Sequence, residues 1–199
     1  MTEALIIFVR NLEPGKVKTR IGAVAGHAFA LAVYEKLLQH TYAITVTLPV
    51  DKYVYYASEV GKEDLWNSGS YSKARQEGID LGMRMQQAFQ ALFTKGYQKV
   101  CIIGSDCYEL TTALLEEAYR ALEHSDIVIG PTTDGGYYLL GMKNGVKEIF
   151  QGVEWSTDKV LQQTLEKIPP ASRTTLLPML TDVDRIEDVP EAWRQSAML

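Results

Sequence analysis

Three short apolar runs limit what this chain can fold into. Val100-Cys-Ile-Ile103, Ala4–Val9 and Ile127-Val-Ile129 carry no alternating polar positions. A strand with one wet face alternates, whereas a strand covered on both faces reads as a continuous apolar run. Strands of that kind occur in sheets with helices packed on each side. The runs are separated by segments of helical period: 25–46, 79–94 and Leu114–Leu122. Strand alternating with helix predicts an α/β fold, a three-layer α/β/α sandwich around a mostly parallel, Rossmann-like sheet. With 199 residues the chain has the length of one domain, 1–199.

The strand at 100–103 stops at Gly104 and is followed by Ser105 and Asp106, with Thr111 or Thr112 placed to cap the next helix. Ligands of open α/β sheets bind at the carboxyl ends of the strands. Asp106 therefore stands where a metal-bound phosphate would be met, or else it shapes the turn. After the first strand come Arg10-Asn11 and Pro14-Gly15-Lys16-Val-Lys18-Thr-Arg20. Lys16, Lys18 and Arg20 alternate in what reads as a loop and can cradle a polyphosphate. Their spacing is neither that of a Walker A loop nor of a dinucleotide fingerprint.

Further along, Gly82 sits near a helix start, where glycine costs about 1 kcal/mol against alanine. It suggests close approach by a ligand or by other backbone. Met83, Ala88, Phe89, Leu92 and Phe93 read as the core stripe of that helix. Asp134-Gly135-Gly136 is either a hairpin turn or a bare floor beside a ligand. Trp155 stands in a loop, as a stacking platform or a core anchor, and a helix is expected from Ser156 or Thr157 to about Ile168. Residues 61–72 read as a short helix and loop, 74–78 as a connector, and Thr174–Leu177 as a last strand. Asp182 and Asp184 alternate before a terminal helix. An Asp-x-Asp pair gains meaning as a metal site only if the fold carries it to Asp106.

Charge and cysteine usage narrow the class. The net charge is −5 with no long basic run, which argues against a nucleic-acid partner. Cys101 and Cys107 have no nearby His or Cys pair, so neither a zinc site nor a disulfide framework is expected, and reduced thiols fit a cytoplasmic protein. The N-terminal apolar run reads as a first strand, and a leader is not expected there; no stretch is long enough to span a bilayer as a helix.

Taken in order, Pro14–Arg20, Leu81-Gly-Met-Arg-Met85, Ile103-Gly-Ser-Asp-Cys107, Gly130-Pro-Thr-Thr-Asp-Gly-Gly-Tyr-Tyr-Leu-Leu-Gly141, Trp155-Ser-Thr-Asp158 and Thr181-Asp-Val-Asp184 cover most of the chain. The series resembles small bacterial GT-A-fold glycosyltransferase-like proteins, relatives of the nucleotide-diphospho-sugar transferases. More distantly it is similar to nucleotidyltransferases such as phospholactate guanylyltransferase.

The resemblance implies a Mg²⁺ or Mn²⁺ ion at Asp106, with Asp184 and Asp182 as further metal ligands and Asp106 and Asp134 in catalysis. It implies nucleotide or phosphate contacts from Arg10, Gly15, Lys16, Lys18, Arg20, Gly82, Arg84 and Ser105. Substrate contacts would come from Gly135, Gly136, Trp155, Ser156 and Thr157. The implied activity is glycosyl transfer from a nucleotide-diphospho-sugar, with nucleotidyl transfer from an NTP or a non-catalytic nucleotide-binding module as the alternatives. The partners would be a nucleotide-sugar or an NTP and a small-molecule acceptor, with a homodimer as the candidate assembly. Two departures stand out. Tyr108 replaces the proline usual after Ser-Asp-Cys, and Asp184-Arg-Ile-Glu-Asp188 replaces Asp-Thr-Pro-Glu-Asp.

Overall fold

A computed structural model describes residues 2–67, 69–145 and 147–195; Met1, Ser68, Val146 and residues 196–199, which the single-domain expectation also spanned, lie outside the described residues. The three apolar runs form β1 (Glu3–Val9), β4 (Lys99–Ile103) and β5 (Ile127–Pro131). With β2 (Asp51–Tyr56), β3 (Tyr71–Arg75), β6 (Tyr137–Met142) and β7 (Thr174–Leu176) they make a seven-stranded sheet. Its order is β3-β2-β1-β4-β6-β5-β7. All strands run one way except β6, which pairs antiparallel with both β4 and β5.

The run of β1 is apolar on both faces because each face has its own core. Leu5, Ile7 and Val9 pack with Val33, Leu37, Leu115 and Leu122 on one side. Ala4 and Ile6 pack with Met85, Phe89, Leu92 and Phe150 on the other. The first layer is supplied by α1 (Thr19–Ala25), α2 (His27–Thr45) and α4 (Thr112–His124). The second is supplied by α3 (Leu81–Thr94) and α5 (Val160–Glu166). A short C-terminal helix, α6 (Glu191–Gln195), closes the described chain. The expected three-layer α/β/α sandwich is the observed architecture.

Several local expectations change. Residues 74–78 do not simply connect: Tyr71–Arg75 is an edge strand, paired parallel to β2. Its sequence, Tyr-Ser-Lys-Ala-Arg, is half-polar because only one neighbour and one face cover it. The expected helix at 25–46 begins at His27, and Gly26, at φ 87°, separates it from α1. Arg20 is accordingly on a helix rather than in a loop. Met83 is exposed, and Met85 takes the core position one turn-face away. Ser156 adopts a left-handed φ of 66°, and the Thr157 hydroxyl donates to Glu154 O at 2.7 Å. That local turn delays α5 to Val160. The segment 132–136 is a hairpin turn between β5 and β6. Gly130 and Gly141 are not a ligand floor: a Cβ there would strike the Tyr138 ring at 2.2 Å and the Cys101 sulfur at 2.8 Å.

Candidate active site

The carboxyl ends of β1, β4 and β5 lie along one rim of the sheet, and the hairpin turn before β6 returns to the same rim. A buried tyrosine ties two of these ends together. Tyr34, on α2, accepts from Arg10 N at 2.7 Å and sits 3.0 Å from Ser105 Oγ. Burial first, and then the neighbouring Asp106 charge, push its phenol far up, so it stays protonated. Ser105 is thus a brace, buried beneath the loop, and Arg10 contributes its backbone while its side chain is exposed.

The 180–184 loop is stitched onto this rim by backbone. Leu180 N donates to Pro131 O at 3.1 Å, and Thr133 N donates to Leu180 O at 3.0 Å. Thr181 N donates to Glu109 Oε2 at 2.7 Å. Val183 N donates to Asp106 O at 2.9 Å. These bonds carry the Asp-x-Asp pair to Asp106, the condition on which its meaning depended. Glu109 was not among the expected residues; the signal was its place three residues after Asp106 in the same loop.

Four aspartates share this region. Asp182 has a buried Oδ1 with no hydrogen-bond partner among the described residues. Burial first, then the charges of Asp106 and Asp134, push its carboxyl up to about 7, while Lys18 pulls it down. Asp134 is fixed by its turn: its Oδ1 accepts from Thr132 Oγ1 at 2.5 Å and from Gly136 N at 3.0 Å.

Two cations answer the carboxylates. Lys18 is ion-paired with Asp106, its side chain only 6% exposed against 47% for Asp106. Arg20 is ion-paired with Asp184, and both are largely in solvent. Lys18 holds the left-handed conformation φ 45°, ψ 47° at the start of α1. A left-handed non-glycine residue is a form of backbone strain that functional sites often retain.

The remaining expected residues are placed differently. Lys16 is 74% exposed and pairs with Glu13 at 2.5 Å. The Arg84 Nε donates to Gly78 O at 3.1 Å, so that side chain braces the entry to α3. Gly15 makes a turn at φ 77°. Gly82 is approached by protein: a Cβ there would meet the Trp155 indole at 2.4 Å. Trp155 is half-buried against the core layer of α3 and α5, as a core anchor would be. Gly135 packs its bare backbone on Asp158, whose carbonyl oxygen an added Cβ would meet at 2.1 Å, and Gly136 lies against Thr132 and Asp134. Ser156 and Thr157 are exposed.

The chemistry of the rim suits a hard divalent cation, because every donor is an oxygen and one of them is buried without a partner. Asp106, Asp182 and Asp184 do not, however, close into a three-ligand set: among the described residues no three His, Cys, Asp or Glu side chains come together in that way. Lys18 and Arg20 stand at two of the carboxylates. One or two carboxylates with substrate phosphates is the usual provision for Mg²⁺.

Residues 41–157 match DUF2064, a family described as uncharacterized proteins conserved in bacteria. The chain belongs to this DUF2064 family. No curated protein matches it. A crystal structure from Desulfovibrio desulfuricans G20, named as a candidate nucleotide-diphospho-sugar transferase, is 35% identical with a TM-score of 0.88. The match covers 98% of this chain and 87% of that one. The 4-diphosphocytidyl-2C-methyl-D-erythritol synthase of Anaerococcus prevotii DSM 20548 is 12% identical with a TM-score of 0.59, over 97% and 98% of the two chains. The manganese complex of Rv0371C from Mycobacterium tuberculosis H37Rv is 10% identical with a TM-score of 0.54, over 100% and 99%. The last two show a shared fold. This DUF2064 chain shares the fold of these transferases, and its sequence is similar to that of the Desulfovibrio protein, in line with the motif resemblance. Among the described residues no helix is long and apolar enough to cross a membrane.

Proposed function

We propose that this protein is a single-domain, cytoplasmic, metal-dependent glycosyltransferase that moves a sugar from a nucleotide-diphospho-sugar to a small-molecule acceptor. The observation that supports it most is the meeting of Asp106, Asp134, Asp182 and Asp184 with Lys18 and Arg20 at one rim. Asp106 and Asp184, with Asp182 beside them, would hold Mg²⁺ or Mn²⁺; manganese is present in the Rv0371C complex. When bound, the ion supplies positive charge to the departing diphosphate.

The chain's own residues do the rest. Lys18 and Arg20 neutralise phosphate oxygens and so favour the state in which the leaving group gains charge. Asp134, held through Oδ1 by Thr132 and Gly136, would take the acceptor proton on Oδ2. Ser105 and Tyr34 keep the β1 and β4 ends at fixed spacing.

A nucleotidyltransferase reading draws on the likeness in fold to the diphosphocytidyl-methylerythritol synthase. The same half-site would then act on an NTP and release pyrophosphate.

A thermal-shift panel of NTPs, NDPs and NDP-sugars, each with Mg²⁺, Mn²⁺ or EDTA, tests the proposal. Ligand at a hundred times its Kd stabilises by about 2.7 kcal/mol, so a rise of about 5–10 °C is expected for a chain of this length. The expected result is a rise with one NDP-sugar that EDTA abolishes, followed by NDP release on adding the acceptor. The turnover of Asp106→Asn should fall at least about a hundredfold. A rise with an NTP alone, and pyrophosphate release, would overturn glycosyl transfer in favour of the second reading.

A further inference from the structure

Lys18 and Arg20 stand at the start of α1, one at its N-cap and one in its first turn, and each is spent on one of two carboxylates. Those carboxylates are joined through the backbone bond from Val183 N to Asp106 O. The arrangement is poor for a metal arriving alone, because Lys18 already neutralises Asp106 and Arg20 already neutralises Asp184. It is equally poor for a diphosphate arriving alone. The four aspartates outnumber Lys18 and Arg20, and Glu109 adds a fifth carboxylate, so the cluster keeps an excess of negative charge while both cations are engaged. Lys18 adds a further constraint. Its side chain is 6% exposed, so its ammonium cannot leave Asp106 for water without movement of the loop and needs another anion to accept it.

We infer that Lys18 and Arg20 are stand-in counter-ions: they occupy Asp106 and Asp184 while the site is unloaded and transfer to the diphosphate as the divalent cation takes their place. Metal and nucleotide then load together, each raising the other's affinity by the same factor. Neither binds well alone, so the site does not fill with free metal or with free nucleotide. The inference rests on the reading of the rim as a metal and diphosphate site and adds to it an order of exchange among this chain's own side chains.

The test is isothermal titration of MnCl₂ into the whole protein, alone and with UDP, CDP, GDP or ADP in turn, corrected for Mn²⁺ held by free nucleotide. In the wild type, Mn²⁺ should bind at least about tenfold more tightly with one diphosphate than without. Lys18→Met should bind Mn²⁺ alone at least about tenfold more tightly than the wild type and lose most of the coupling. Arg20→Met removes a side chain that is 65% exposed, so the fold is not at stake; it should shift affinity the same way by a smaller factor.

The tightened binding of Lys18→Met should vanish in Lys18→Met/Asp106→Asn, and its survival there would overturn the inference. Wild-type protein that binds Mn²⁺ alone as tightly as Lys18→Met does, or that shows no coupling to any diphosphate, would also overturn it while leaving the metal site standing. Absence of Mn²⁺ binding in every form, with every diphosphate, would instead remove the metal site and the inference with it.

Discussion

A lysine ammonium with so little of its side chain exposed has few alternatives when its partner is removed. Asp106→Asn leaves Lys18 buried beside a neutral amide, and loss of one member of a buried pair costs 3–5 kcal/mol when both are fully desolvated. Asp106 is 47% exposed, so about 1–3 kcal/mol is expected in urea unfolding without metal. Lys18→Met removes the stranded charge, and the double variant should recover at least about 0.5 kcal/mol of the summed losses. Additive losses would mean that the contact contributes nothing to the folded state. At this scale the sequence was legible where a charge type and a strand end coincide, as at Asp106, Lys18 and Arg20. It was less so where a side chain is recruited by backbone. Tyr34 reads as one more apolar helix position, and its role appears only once Arg10 and Ser105 are brought to its hydroxyl. Lys16 carries the same charge as Lys18 and the same loop spacing, yet its left-handed neighbour turns inward and it does not.

Elements meet through contacts that a linear pattern records only as oddities. Gly82 near the start of α3 is one such oddity, and its partner proves to be an indole rather than a ligand or backbone. Gly82→Ala would gain up to about 1 kcal/mol of helix propensity, but the new Cβ would lie 2.4 Å from Trp155 Nε1. Overpacking of that kind costs about 1–3 kcal/mol, so the variant should melt lower. In a Trp155→Ala background the same change should be neutral or stabilising, and a loss there would show that the indole is not the obstacle.

A second junction binds β2, β3 and the short turn at Leu65–Asn67. Asp64 accepts from Tyr56 Oη at 2.5 Å, from Lys73 Nζ at 2.7 Å and from Trp66 N at 3.0 Å. Burial raises its carboxyl, but the Lys73, Tyr56 and Trp66 bonds outweigh it, and the net shift is below the ordinary value of 3.8. A depressed acid contributes stability that is complete above the unfolded value and lost as pH falls through the folded one. The melting-temperature gap between wild type and Asp64→Asn should therefore be constant from about pH 5 to 8 and close below about pH 4. A gap that persists unchanged in acid would mean that the carboxylate charge is not what holds β3. That strand is missed in the sequence: a half-polar edge strand lacks the continuous apolar run that marks β1, β4 and β5.

The molecule as a whole was the most legible level. Continuous apolar runs separated by helical periods permit few arrangements, and a sheet covered on both faces is the one that buries them all. What the pattern could not supply was strand order. The hairpin reading of Asp134-Gly135-Gly136 offers the reversed direction of Tyr137–Met142, but nothing in that strand announces that it inserts between β4 and β5, because a strand buried on both faces has the same composition wherever it pairs.

That order also sets a timetable for synthesis. β1 lies in the middle of the sheet, yet its partners β2 and β4 begin at Asp51 and Lys99. At ribosomal speeds of 5–20 residues per second, Leu5, Ile6 and Ile7 wait roughly 5–20 s for the strand that covers their open edge. A seven-residue segment rich in β-branched and aromatic side chains is sticky for all of that time. A holdase present during expression should therefore raise the yield of folded chain, and an equal yield with and without it would show that the wait does no harm.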